Sequence, residues 1–230
     1  MSNKYVEFVS DKHFLSCVQY VCEGYYEAGG KIDELKSNGL DPFKIVFDLM
    51  NRNINLNKWI SAEASRQQDK SLNNRIGEFH QKLLGGVKGW KDLGTGDESK
   101  LDLVKSNNSI GIELKNKFNT VNSDSLDKVR DKIEKFVKKN KGALGYWAYI
   151  IEKDNSSGES VWKKKGRNDN KKIRKIWGAR VYELITGDKN ALRKTWNAIP
   201  KAIVDNFNGK KKLAAGDLEK LQKLLDSAFH

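Results

Sequence analysis

Leu101-Asp102-Leu103-Val104 and Ile110-Gly111-Ile112-Glu113-Leu114-Lys115, separated by Lys105-Ser106-Asn107-Asn108-Ser109, decide the fold of this chain. Aliphatic residues alternate with others at period two on both sides of the polar stretch. Asn107-Asn108 is a pair that tolerates the positive φ of a tight turn, so the stretch predicts a hairpin of two short strands. With Asn107 and Asn108 as the turn residues, partners across the ladder have numbers summing to 215. Leu103 then faces Ile112, Val104 faces Gly111 and Asp102 faces Glu113. Ile110, Ile112 and Leu114 share one face, while Gly111, Glu113 and Lys115 share the other with Asp102, so one face reads as core and the other as chemistry.

Side chains directly opposite in a ladder have Cβ atoms about 4.5–5.5 Å apart, and two carboxylates so placed repel unless positive charge sits between them. Asp102 and Glu113, with no histidine or cysteine close in the sequence, form an oxygen donor set that suits a hard divalent ion such as magnesium. Lys115 can orient a water or steady the charge on a phosphate. The chemistry this implies is phosphodiester hydrolysis; the alternative is that the three side chains form the solvated face of an amphipathic hairpin.

The order Asp102, ten intervening residues, then Glu113-Leu114-Lys115 on a hydrophobic strand resembles the PD-(D/E)XK nuclease motif, with Leu101 where the pattern often has proline. The continuation Asn116-Lys117-Phe118-Asn119-Thr120, the upstream Ile76-Gly77-Glu78-Phe79-His80-Gln81 and the stretch from Gly85 to Gly96 extend the likeness. Together they resemble a family of type II restriction endonucleases of the PD-(D/E)XK superfamily that cut double-stranded DNA at short GG…CC palindromes, of the GGNCC or GGWCC type. The similarity runs from about Arg75 to about Pro200. It implies a magnesium-dependent enzyme in which Asp102 and Glu113 hold the metal, the Leu114 carbonyl assists and Lys115 positions the attacking water. It also implies that an acidic residue on the preceding helix, here Glu78, can join the metal site. A palindromic site is cut most simply by a two-fold symmetric pair of subunits, so a homodimer is expected, and a companion DNA methyltransferase acting on the same site is a possible partner.

The whole chain has 230 residues and a formal charge of +13, more than solubility requires, which points to a polyanionic partner. No apolar run approaches the roughly 20 residues needed to span a bilayer, and Met1-Ser2-Asn3-Lys4-Tyr5 does not begin a signal peptide, so a cytoplasmic location is expected. Cys17 and Cys22, five apart on a helix, would not face each other and read as ordinary buried thiols. Three histidines and no Gly-x-Ser-x-Gly leave a zinc site or a serine-histidine triad without material.

Residues 1–70 are expected to be a helical extension and residues 71–230 the nuclease core with its basic segment and terminal helix. Phe14, Cys17, Val18 and Val21 recur at helical spacing, and Asp41-Pro42 should open a second helix that carries Ile45, Val46 and Leu49 inward. A polar third segment, 59–68, precedes a helix over 72–84 with Ile76, Phe79, Leu83 and Leu84 as its stripe, on which His80 is a packing residue. Gly85 to Gly96 reads as a glycine-rich loop, either a path along a phosphate backbone or a plain connector, and it lacks the ending of a nucleotide-binding loop. A helix over 125–139 with Val129, Ile133, Phe136 and Val137 inward, then a buried strand over 145–151, gives the order strand, strand, helix, strand. The fold class expected is therefore α/β: a mixed central sheet of the PD-(D/E)XK type flanked by helices, with an N-terminal helical extension.

Asn116, Lys117, Asn119 and Asn122 are candidates for reading bases, since asparagine pairs bidentately with adenine and lysine reaches guanine acceptors; capping and solvating the next helix is the other reading. Lys163, Lys164, Lys165, Arg167, Lys171, Lys172 and Arg174 form the densest basic run and are candidates for phosphate contacts. A helix is expected around 190–199, and 213–229 reads as a terminal amphipathic helix that caps the fold or meets a second subunit. Two other functions fit the same residues. A repair or junction-resolving nuclease would share the metal site and recognise DNA structure, whereas a binding protein without hydrolytic activity would owe everything to its charge.

Overall fold

A computed structural model describes residues 3–25, 41–94, 101–120, 123–206, 216, 217, 219, 220 and 223 of the chain. The chain divides into two compact units, one of residues 1–18 and 79–230, the other of residues 19–78. The described elements are, in order, α1 (Asp11–Glu23), α2 (Pro42–Arg52), α3 (Leu56–Gly85), β1 (Trp90–Asp92), β2 (Leu103–Lys105), β3 (Ile110–Lys117), α4 (Ser123–Lys139), β4 (Leu144–Ile151), β5 (Gly158–Val161), β6 (Ile173–Trp177), α5 (Ala179–Thr186) and α6 (Ala191–Asn206). The terminal helix expected over 213–229 lies almost wholly outside the described residues, as do Gly96 and Asn122. Among the described residues no helix is long and apolar enough to cross a membrane.

The first unit is built on a six-stranded mixed sheet in the order β1-β2-β3-β4-β6-β5. The hairpin of β2 and β3 has the expected register, Leu103 opposite Ile112 and Val104 opposite Gly111. Its turn differs. The Asn108 amide donates to the Lys105 carbonyl at 2.7 Å, and Asn108 alone of the pair takes a positive φ, 56°. The loop is therefore four residues, 106–109, centred on the same point as a two-residue turn, which is why the pairing sum survives. The Gly85 to Gly96 stretch is not wholly loop: Trp90-Lys91-Asp92 adds β1 antiparallel to β2, with Asp92 opposite Leu103. β4 and β6 join β3 in parallel, and β5 closes the other edge antiparallel to β6.

Parallel register places Gly111, Glu113 and Lys115 of β3, Gly145, Trp147 and Tyr149 of β4, and Ile173, Lys175 and Trp177 of β6 on one face. Helix α4 covers this face with Val129, Ile133 and Phe136, all buried, so the face that carries the chemistry is also core. The close fit explains Gly111: a Cβ there would lie 2.6 Å from the Phe136 ring and 2.7 Å from Leu101. The opposite face carries Ile112, Leu114, Tyr146, Ala148 and Ile176, all buried. There Glu159 accepts from the Tyr146 hydroxyl at 2.9 Å and meets Arg174 and Arg180, which ties α5 to this side. His80 packs edge-on against Tyr182 of α5 and hydrogen-bonds its hydroxyl at 2.7 Å, the packing role expected of it. Cys17 is a buried thiol, pushed up to about 11 by burial, whereas Cys22 is only partly buried, and neither forms a disulfide.

In the second unit the Asp41 carboxylate caps α2 by accepting from the amides of Phe43 and Lys44, with Pro42 in the first turn, as expected. Asn53 ends the helix in the left-handed region. The inward face is Ile45, Asp48 and Leu49, while Val46, one helical step further round, joins Phe43, Phe47 and Met50 on an exposed stripe. The Trp59 indole donates to Asp48 at 3.0 Å. The two expected segments 59–68 and 72–84 are one continuous helix, α3, because Asp69-Lys70-Ser71 between them includes no glycine or proline to break it.

Candidate active site

Asp102 sits one residue before β2 and is fixed from both sides. Its amide donates to the Ile112 carbonyl at 3.0 Å, and its carbonyl accepts from the Leu93 amide at 3.0 Å. Buried Leu101 anchors the chain just before it. The ladder ends at Leu103, so the Asp102 side chain is not simply paired with Glu113. Its Oδ2 instead reaches the Leu114 amide at 2.6 Å, an exchange that aims the carboxylate at the middle of β3.

Glu113 lies in the middle of β3 and is only 2% exposed. Its charge is matched by two ammonium groups. Lys115 Nζ lies 2.9 Å from Glu113 Oε1 and 3.5 Å from Asp102 Oδ2, and so bridges the two acids. Lys132, which reaches in from α4, donates to Glu113 Oε1 at 2.9 Å and to Oε2 at 3.1 Å. Burial pushes the Asp102 carboxyl above its ordinary range; the Glu113 charge adds to this, against the opposing pull of Lys115 and of the Leu114 amide. For Lys115 burial pulls downward, but the charges of Asp102 and Glu113 outweigh it and hold the ammonium above its usual value. Lys115 is thus a fully charged donor at neutral pH and not a proton acceptor.

The structure brings Asp102, Glu113 and Lys115 together and adds Lys132, which the sequence reading missed. Among the described residues no group of three or more histidine, cysteine, aspartate or glutamate side chains converges as a metal cage. The donor set that does exist, two carboxylates with Asp102 Oδ1 free of any protein partner among the described residues, is all oxygen and is held together by intervening positive charge. It fits a hard divalent cation. Glu78 belongs to the second unit, where it is exposed and accepts from the Tyr20 hydroxyl at 2.5 Å.

Lys117 and Asn119 are exposed at and just past the end of β3. Asn116 is on the opposite face from Lys115, and its Oδ1 is buried without a partner. Much of the basic run is neutralised from within. Arg167 meets Asp131 at 2.8 Å, Asp127 at 3.3 Å and Glu134 at 3.5 Å, all on α4, and Lys164 meets Asp127 at 2.8 Å. Lys163 approaches Asp169 at 3.9 Å, and Arg174 pairs with Glu159 on the far face of the sheet. Arg130, fully buried, donates to the carbonyls of Trp162 at 2.6 Å and Asn168 at 3.3 Å, so both ends of this loop are pinned to α4. Lys165, Lys171 and Lys172 are exposed with no acidic partner among the described residues.

A mixed sheet that presents two acids bridged by a lysine is an arrangement suited to hydrolytic chemistry, and comparison with known proteins gives the class. The chain is a site-specific deoxyribonuclease of the type II restriction kind. It belongs to the Eco47II restriction endonuclease family, whose model matches residues 6–208. It is 28% identical to the type II restriction enzyme Sau96I of Staphylococcus aureus over 241 aligned residues, which cover 99% of this chain and 91% of that protein. It is 33% identical to the type II restriction enzyme Eco47II of Escherichia coli over 212 residues, 86% of each chain.

Proposed function

We propose that the chain is a magnesium-dependent endonuclease of the PD-(D/E)XK type that hydrolyses both strands of a short GG…CC palindrome as a homodimer. The observation that carries this is the cluster of Asp102, Glu113 and Lys115 on one hairpin, with the Lys115 ammonium lying between the two carboxylates. Asp102 and Glu113 would hold the ion, with the Leu114 carbonyl assisting. A bound magnesium ion supplies positive charge that stabilises the phosphate as it accepts negative charge, and it makes water a better nucleophile.

The chain's own groups do the rest. Lys115, fixed between Asp102 and Glu113 and charged throughout the neutral range, donates to a water or a phosphate oxygen and orients it. The Leu114 amide holds Asp102 Oδ2, which leaves Oδ1 available to the ion. Lys165, Lys171 and Lys172 give sequence-independent affinity through phosphates, and Lys117 and Asn119 read base edges. Among its described residues the chain carries one such site and a duplex has two strands, which supports the two-subunit assembly. A companion methyltransferase that marks the same site in the cytoplasm completes the proposal.

Plasmid digestion tests it. Discrete fragments with GG…CC at their sequenced ends are expected with magnesium, and intact plasmid with EDTA. Glu113→Gln and Asp102→Ala should abolish cutting while gel-shift affinity persists. Wild-type cleavage by either variant, or cleavage confined to branched DNA, would overturn the proposal.

A further inference from the structure

Neither the motif nor the family likeness assigns a role to Lys132, yet it makes the most complete contact with the most buried acid of the site. Its ammonium spans both Glu113 oxygens, at 2.9 and 3.1 Å, whereas Lys115 reaches only one of them and is drawn toward Asp102. The Glu113 side chain is 3% exposed, so water cannot take over if this partner is lost. The aim of Lys132 is imposed by its neighbours. Ile133 is fully buried against the sheet and Asp131 is paired with Arg167, which together fix the rotation of α4 at this point. The Lys132 side chain is itself 31% exposed, so its ammonium can swing to solvent without unpacking the helix.

We propose that Lys132 is a positioning residue that holds Glu113 in place in the metal-free enzyme and sets the affinity for the divalent ion by occupying the oxygens that the ion requires. The inference rests on the reading of Asp102 and Glu113 as metal ligands. Two carboxylates and two ammonium groups make the metal-free cluster neutral, and this keeps a buried acid pair stable without metal. The same neutrality weakens the pull on a cation. Removing Lys132 leaves a net negative site that is less well ordered when empty and more attractive to a divalent ion. A salt bridge with only a structural role makes the opposite forecast, since loss of order around Glu113 would weaken metal binding.

Calorimetric titration of manganese into the metal-free full-length protein separates these. Lys132→Gln and Lys132→Met, the latter keeping the aliphatic stem, are expected to bind manganese on the order of tenfold more tightly than wild type, and Lys132→Arg within roughly twofold of it. In melting curves the two neutral variants should be less stable than wild type without metal and should recover more on adding it. For cleavage, they should reach half-maximal rate at a lower metal concentration with KM for DNA unchanged. Manganese affinity in both neutral variants equal to or weaker than wild type, with unchanged circular dichroism, would overturn the role of Lys132 alone. A wild-type protein that takes up no manganese, matching a Glu113→Gln control, would overturn the metal-ligand reading and this inference with it.

Discussion

Replacement of Arg130 by methionine tests whether the basic loop is pinned from beneath. Arg130 is fully buried; it donates to the Trp162 carbonyl at 2.6 Å, the Asn168 carbonyl at 3.3 Å and Glu134 at 2.7 Å, and lies 5.3 Å from the centre of the Trp162 ring. Exchanging a buried ion pair for apolar side chains is often neutral, but only when both partners are exchanged. Here one partner is main chain and remains. Trp162 is 3% exposed, so its carbonyl would be left without a donor, at a cost of about 1–3 kcal/mol. Asn168 and Glu134 reach solvent and recover hydration. Loss of the cation–π contact, about 2 kcal/mol when desolvated, is partly offset by methionine sulfur on the ring at about 0.3–1.5 kcal/mol. The net loss is about 2 kcal/mol, which for a chain of this size lowers Tm by roughly 4–8 °C. Scanning calorimetry checks the shift, and a Tm within 1 °C of wild type (well under the ~4 °C expected) would refute the pinning.

The same structure makes predictions about pH and salt. Burial lowers His80 to about 4, below its value of about 6.5 in an unfolded chain, so as pH falls from 6.5 toward 4 the unfolded state binds a proton that the folded state refuses. Stability is full above pH ~6.5 and should fall by up to ~1.4 kcal/mol per unit below it, about 3 kcal/mol in all as an upper bound for a half-buried ring; urea titrations at pH 7, 6 and 5 that coincide would disprove this. Lys171→Ala, which removes a charge with no acidic partner among the described residues, should reduce the slope of log affinity against log salt by about one. Arg167→Ala, whose guanidinium is held by three α4 carboxylates, should leave that slope unchanged and lower Tm instead, and a gel-shift series from low to high salt distinguishes the two.

How far the site could be read from sequence depends on how local each constraint is. The hairpin register was legible because pairing numbers sum to 215 for any loop centred between Asn107 and Asn108, so an error in turn length left the partners of Leu103 and Val104 unchanged. The approach of Asp102 to β3 followed from the same arithmetic, but the amide of Leu114 that aims its Oδ2 did not, since it exploits the end of the ladder and not its regular part. Lys132 was invisible for a stronger reason. Its neighbour Ile133 marks the inward stripe of α4, but a lysine one step off a stripe points to solvent or to a sheet edge according to how the helix is rotated, and that rotation is fixed by Ile133 seated over Gly145 and by the pairing of Asp131 with Arg167. The basic run shows the limit of composition. Its density was plain, yet Asp127, Asp131 and Glu134, spaced four and three apart on α4, form one acidic stripe that meets Arg167 and Lys164. A cluster of positive residues can attract phosphate only with the charge its own fold has not already neutralised, so under the proposed function Lys165, Lys171 and Lys172 would be the charges of this segment left to meet DNA, while Arg167 and Lys164 are held by α4.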